Sequence, residues 1–462
     1  MHSLKKFEMP RIDRGTLFLF LLLILFLWDA AYFLGIRDPV RFPHPFILFR
    51  NLGDVESLGG FPAMLREVIF SFMSGFVIGV SAGALILLNT RLVKMLSRFL
   101  GLIQWFPLVL VFSGSGVFVT ESMTAILCAC YHYIQGRSVL GLRRRDSWIY
   151  TARETLLQTL LVSLIAQLWA SRWQWFTFTV LMQLRPGFEA FAMLVAMVGL
   201  INWCFQATFD VTATRHAAVT NYLIEGRVRE AGYDFTLLAI GGLLIWQLLT
   251  ALGVGPFVAA PSQALTAIFN FFSNAEFLGD VRVSLLEVMA GIILGGLVAE
   301  IVFLASGKPI LRKVLFPLLP MTYISAIVLW LIVFVISGTW FQIKGSSFLY
   351  FWHKVIAVGC LSFFPLVESL WGFRDRPVFC RFVLAIDAAL PIAFLAMAFG
   401  EAYASTQGLG FRMVVANATG QRENAVGVGL ITFALLVGLS FMLGWVAKKL
   451  SALAKTPEPL PV

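Results

Sequence analysis

Five ionisable side chains, Asp29, Glu287, Glu300, Lys354 and Asp387, stand inside or at the ends of long apolar runs. A charge in such a place is costly and by default marks a candidate site for ions, protons or solutes. Glu287 and Lys354 lie near one end of their runs, where they can reach an interface. Glu300 and Asp387 lie near the other end, with Lys308 and Arg381 within reach as partners. Asp29 is the deepest. Snorkelling or pairing is the expected fate of each, because a proton relay calls for more such residues clustered at mid-span. Enzyme chemistry finds less support. No G-x-x-x-x-G-K-[ST] occurs, and the one Gly-Lys pair, Gly307-Lys308, runs into Pro309, so the chain cannot hold ATP through a P-loop of its own. Neither the histidines (His2, His44, His132, His216, His353) nor the cysteines (Cys128, Cys130, Cys204, Cys360, Cys380) have metal-ligand or disulfide-framework spacing. The expectation is a protein with no catalytic residue, no metal and no cofactor.

Long helices must carry these residues. Of the 462 residues, 59% are hydrophobic and 13% charged, against about 45–50% and about 25% in soluble domains. So few charges cannot clothe a soluble protein of this size. The apolar runs are continuous rather than alternating, which excludes a transmembrane barrel. An all-α polytopic membrane protein remains. A bilayer core of ~30 Å takes about 20 helical residues. The segments that qualify are Thr16–Ile36, Val68–Leu88, Phe99–Phe118, Ser122–Ile134, Thr155–Ala170 and Phe188–Phe209, then Phe235–Gly253, Leu285–Ala305, Leu315–Ile336, Phe348–Val367, Phe382–Gly400 and Ala425–Val446. Lys5, Lys6, Arg11 and Arg14 precede the first without a small-x-small cleavage site after it, which reads as an uncleaved span with a cytoplasmic basic end. With twelve spans, the side holding the N-terminus carries 24 Lys/Arg and the opposite side 10. That asymmetry puts both termini in the cytoplasm and accounts for the net charge of +10 without nucleic acid.

The two halves look alike at a fixed offset. Trp28, Leu34-Gly35 and Pro43 recur as Trp246, Leu252-Gly253 and Pro261, and Arg66, Met73, Gly75 and Gly79 as Arg282, Met289, Gly291 and Gly295. Six spans per half make the repeat parallel, with a pseudo-two-fold axis along the membrane normal. The expected organisation is a cytoplasmic N-terminus 1–15, a six-helix domain 16–209, a cytoplasmic linker 210–234, a second six-helix domain 235–447 and a cytoplasmic tail 448–462. Gly75 and Gly79 in one half, and Gly291 and Gly295 in the other, put small residues on one helix face and predict close helix packing.

The last third carries the most specific pattern. Leu390-Pro391 precedes a span ending in Gly400-Glu401, followed by Gly408-Leu409-Gly410-Phe411 and a final helix; Phe363-Phe364-Pro365 stands earlier. This resembles the permease subunits of binding-protein-dependent ABC importers of the nitrate, sulfonate, taurine and thiamine-precursor type, over most of residues 235–450 and more loosely over 16–209. The resemblance implies a type I importer fold with two permease domains fused in tandem and a pathway between them. It also implies cytoplasmic ABC ATPase subunits as an energy-supplying dimer, a periplasmic or lipid-anchored binding protein, a bacterial inner membrane, and a small polar, often anionic, solute. The family's Glu and G-L-G fall on Glu401, Gly408, Leu409 and Gly410, on the outer side. The glycines are expected to form the turn that returns the chain to the membrane, and Glu401 is the stronger functional candidate.

That family couples to its ATPase through a short cytoplasmic helix between the fourth and fifth spans. Here the first such loop is Gln135–Glu154, with Arg143, Arg144 and Arg145 and with Thr151-Ala152-Arg153-Glu154 in the place of the coupling motif, so Arg153 and Glu154 join the candidate contacts. The second loop, Glu368–Arg381, offers Arg374, Asp375 and Arg376 but is too short for the usual helix. The first half also has Trp173 and Trp175 where the Glu and G-L-G pair would stand. The triple arginine equally suits anionic lipid, at ~1 kcal/mol per residue near the surface. Two other readings stay open: a secondary transporter of two parallel halves, and a non-transporting membrane scaffold that kept the fold.

Overall fold

The computed structural model describes residues 61–89, 117–169, 240–252, 259–305 and 347–453, with isolated gaps, and a few positions between 92 and 100. Nine helices carry most of them: α1 (Phe61–Ile86), α2 (Val117–Ile134), α3 (Arg144–Trp169), α4 (Pro261–Phe272), α5 (Ala275–Ala305), α6 (Ser347–Gly372), α7 (Val378–Ala404), α8 (Leu409–Ala418) and α9 (Arg422–Leu453). A single π-helical turn, Gln135–Val139, extends α2, and a further helix occupies 240–251. Among the described residues no strand occurs. Among the described residues four helices are long and apolar enough to cross a bilayer, and a fifth, α6, qualifies if its two arms, 43° apart at Pro365, form one span. Pro365 lacks the N–H that would close its turn, and its ring crowds the carbonyl four residues back. The chain is thus a multi-pass helical membrane protein.

Of the twelve expected spans, eight coincide with described helices. Thr16–Ile36, nearly all of Phe99–Phe118, Phe188–Phe209 and Leu315–Ile336 lie outside the described residues, as do Asp29, Trp28, Pro43, Trp173, Trp175, Lys308 and the linker 210–234. Several boundaries differ from expectation: α1 begins at Phe61 rather than Val68, α5 at Ala275 rather than Leu285, and α2 at Val117, inside the expected third span. α3 begins at Arg144 rather than at Thr155, because its first turns are polar enough to escape a hydropathy scan while helical hydrogen bonding still runs through them. The last helix continues to Leu453, past the expected end of the domain at 447.

The expected glycines make the closest helix contacts. A Cβ on Gly75 would lie 2.5 Å from the Ala125 Cβ, and one on Gly291 would lie 2.5 Å from the Val358 Cβ. Gly79 faces the Ile126 carbonyl and Gly295 the backbone of Gly359. α1 therefore lies on α2 as α5 lies on α6, with contact partners 216 residues apart on one helix and 233 on the other. The next helices, α3 and α7, start 234 residues apart. The extra residue is the longer turn, 373–377 against 140–143. One apolar cluster, centred on α5, α6, α7 and α9, also takes in Val68 of α1 and Leu160 and Val162 of α3.

Candidate functional site

The Glu401 and G-L-G motif opens a helix. α7 ends at Ala404, residues 405–408 turn, and Gly408 takes φ +106°, a conformation that side-chain-bearing residues rarely adopt. α8 starts at the next residue, and its first amide groups are claimed by side chains of two other helices. The Gly408 N–H donates to Asp280 Oδ1 (2.8 Å), the Leu409 N–H to Ser284 Oγ (2.9 Å) and the Gly410 N–H to Glu401 Oε2 (2.7 Å). Ser284 Oγ–H donates in turn to Glu401 Oε1 at 2.6 Å. A helix N-terminus leaves these N–H groups without intrahelical partners and favours negative charge. Here α5 and α7 supply that charge from inside the bundle. Asp280, Ser284 and Glu401 are all buried.

Two cations pair with carboxylates of α5. Arg412 of α8 donates through Nε to Asp280 Oδ2 (2.5 Å) and pairs with the exposed Glu276 (2.6 Å). Burial works against its charge, but Asp280 and Glu276 outweigh it and raise the guanidinium further into its protonated range. Lys354 of α6 pairs with Glu287 of α5 and donates to Ser405 Oγ at 3.0 Å. The pair sits at 4% and 0% exposure. Glu287 and Lys354 were expected to reach the interface, but they bury each other instead. Breaking such a pair is far more costly than never building it.

At the opposite end of the same helices, Arg381, one of the two basic partners the sequence offered for Glu300 and Asp387, pairs with Glu300, and its guanidinium lies 4.3 Å over the Phe303 ring. Asp387 accepts from Ser440 Oγ of α9 (2.6 Å) rather than from a basic partner. In the first half α2 carries the buried carboxylate Glu121, which accepts from Ser71 Oγ (3.1 Å) and Ser163 Oγ (2.5 Å).

The candidate coupling residues are placed less as expected. Arg143, Arg144 and Arg145 are exposed just before and within the first turn of α3. Arg153 and Glu154 lie well inside α3, Glu154 buried, so the expected loop 135–154 holds no separate short helix: the π turn and α3 occupy most of it. Arg374 and Arg376 stand in the tight turn after α6, where the Arg376 N–H donates to the Phe373 carbonyl (2.9 Å). Asp375 lies outside the described residues. Among the described residues no His/Cys/Asp/Glu group could hold a metal ion.

Sequence reasoning missed Asp280 and Ser284, whose partners lie more than a hundred residues away. It also missed a stripe on α3. Ser147, Thr151, Thr155, Thr159 and Ser163 recur every four residues and are all fully buried; that spacing alone could have revealed one continuous helix face.

Over 241 residues the chain is 28% identical to a protein of Haemophilus influenzae named a probable ABC transporter permease protein; the match covers 45% of this chain and 93% of that protein. No family model matches, and no solved structure does. The chain is therefore similar to an ABC transporter permease, a similarity that points to a transporter and away from an enzyme.

Proposed function

We propose that this protein is the membrane-spanning permease of an ABC-type importer, with two permease units fused in one chain and the solute path between them. The observation that carries the reading is the match itself, in which nearly all of a named permease fits within less than half of this chain. The recurring α1–α2 and α5–α6 contacts, at offsets of 216 and 233, favour two units of one design. In this reading residues 16–209 and 235–447 are the units and 210–234 the linker. The end bearing Arg143–Arg145, Arg374 and Arg376 faces the cytoplasm, as both termini do, in a bacterial inner membrane. Those arginines meet a pair of ATPase subunits, and α8 with Glu401, Gly408, Leu409 and Gly410 faces the side from which a binding protein delivers a small polar solute.

The short connections before α3 and α7 leave an ATPase the exposed arginines Arg143–Arg145 with Arg374 and Arg376 to dock on. Nucleotide closure of that pair would rock the halves about the path. The test is co-purification followed by transport. ATPase subunits should copurify from the native membrane, and solute uptake into proteoliposomes should need ATP and be blocked by vanadate. Uptake that stops when the proton gradient collapses, with ATP intact, would establish the secondary transporter instead. That second reading draws support from the polar groups buried in α2 and α3.

A further inference from the structure

At six buried positions the first-half hairpin of α2 and α3 is polar where its second-half counterpart is not. The α3 stripe Thr151, Thr155 and Thr159 falls, at the 234-residue offset, on Ala385, Ala389 and Ala393 of α7, all three fully buried as well. On α2, Thr124, Cys128 and His132 fall, at 233, on Ala357, Leu361 and Pro365. The same packing is thus built once from alanine and leucine and once from hydroxyl, thiol and imidazole. Packing alone does not demand the polar version.

Side chains already span part of the seam. Cys128 donates to Gln158 Oε1, Gln158 Nε2 lies 3.4 Å from His132 Nε2, and His132 Nδ1 lies 3.3 Å from Tyr150 Oη. At the far end Ser163 donates to Glu121. Three buried oxygens along the same seam, Thr155 Oγ1 between these links and Ser147 Oγ and Gln135 Oε1 beyond them toward the basic end, have no hydrogen-bond partner among the protein groups. Ser147 Oγ points at α2, since a Cβ on Gly136 would come within 2.6 Å of it. From Ser147 to Ser163 is about 24 Å of helix at ~1.5 Å per residue, most of the bilayer core. Buried polar atoms of this kind are ordinarily satisfied by ordered water, each molecule taking about three hydrogen bonds.

We propose that the α2–α3 seam of the first half binds a file of ordered water molecules that joins Glu121 to the basic end of the bundle. The ligand is water, with the hydroxyls of Ser147, Thr151, Thr155 and Thr159 on one wall and Thr124, Cys128 and His132 on the other. The file gives Glu121 a route for exchanging protons with the solvent at Arg143–Arg145. The inference rests on the geometry of one hairpin and stands whether the chain is an importer or not.

Hydroxyl-radical footprinting of the full chain in lipid nanodiscs tests it, because radicals formed from bound water label side chains that bulk solvent never meets. Cys128, His132 and Tyr150 should be oxidised at least fivefold faster than the equally buried Cys380 of α7. Labelling of Cys128 should fall toward the Cys380 rate in the isosteric double variant Thr155→Val/Thr159→Val, whose fold is checked by gel filtration and helical circular dichroism. Equal, slow labelling of Cys128 and Cys380 in the unaltered chain would overturn the proposal. So would labelling of Cys128 that the double variant leaves unchanged, since the water would then not run along the stripe.

Discussion

α1–α2 and α5–α6 are the same helix pair with different chemistry at its heart. Where the first pair sets Ser71 against Glu121, the second, at the same offsets, sets Glu287 against Lys354. Gly75 and Gly291 hold both pairs at the same close approach, so the backbone frame is shared while the buried electrostatics is not. The frame is set by where side chains are absent, and each half is free to fill the space beside it differently. In the second half that filling is a set of ion pairs, reinforced by α8. In the first it is a column of hydroxyls.

The difference is sharpest if the charges are removed one at a time. Lys354→Met should leave Glu287 buried against apolar groups and cost about 3–5 kcal/mol, read as a fall in thermal unfolding temperature in detergent. Adding Glu287→Gln should restore much of the loss. If the single variant costs under about 1 kcal/mol, the two heart pairs are energetically alike and the contrast fails. The shared frame predicts equal sensitivity instead. Gly75→Leu and Gly291→Leu should each cost about 1–3 kcal/mol or more through overpacking, and a large inequality in unfolding midpoint between them would show that the frames are not equivalent.

Smaller effects refine the picture. Gly408→Ala meets both a left-handed backbone and the Glu401 carboxyl, and should cost about 1–3 kcal/mol. Hydrogen exchange should then quicken at the first turn of α8 and leave α3 untouched. The smallest change is Ala393→Thr, which places a hydroxyl where the first half has Thr159. Its Oγ can bond the carbonyl four residues back, as Thr159 does at 2.7 Å, so a cost under about 1 kcal/mol is expected from the same melting curves. A large cost would mean that the second seam is too tight to accept what the first one contains.

Much of the scaffold could be read without coordinates, because continuous apolar runs and glycines at four-residue spacing depend on local periodicity alone. Val68–Leu88 and Leu285–Ala305 overlap α1 and α5 on that basis. The start of α3 was not legible. Its early turns alternate arginine, serine and threonine, and hydropathy reads such a face as loop although Ser147 and Thr151 are wholly buried. Arg381 was legible as a pairing partner from proximity to span ends, though not that it takes Glu300 rather than Asp387; the Lys354–Glu287 pair was not legible, since the same rule sends long charged side chains outward to water. Glu401 stood out by its motif. What it binds, Ser284 and the α8 amides, depends on how α5 and α7 cross, and that geometry is not written in any local stretch of sequence.

Two of the ion pairs of α5, Glu287 with Lys354 and Glu300 with Arg381, are separated by thirteen residues of one unbroken helix, about 20 Å. One rivets it to α6 and the other to α7. A helix pinned at two heights to two neighbours cannot advance along its axis, nor swivel, without opening both rivets inside a medium that offers no replacement partner. Whatever stroke this molecule performs, those three helices travel as a single block, and its joints lie elsewhere.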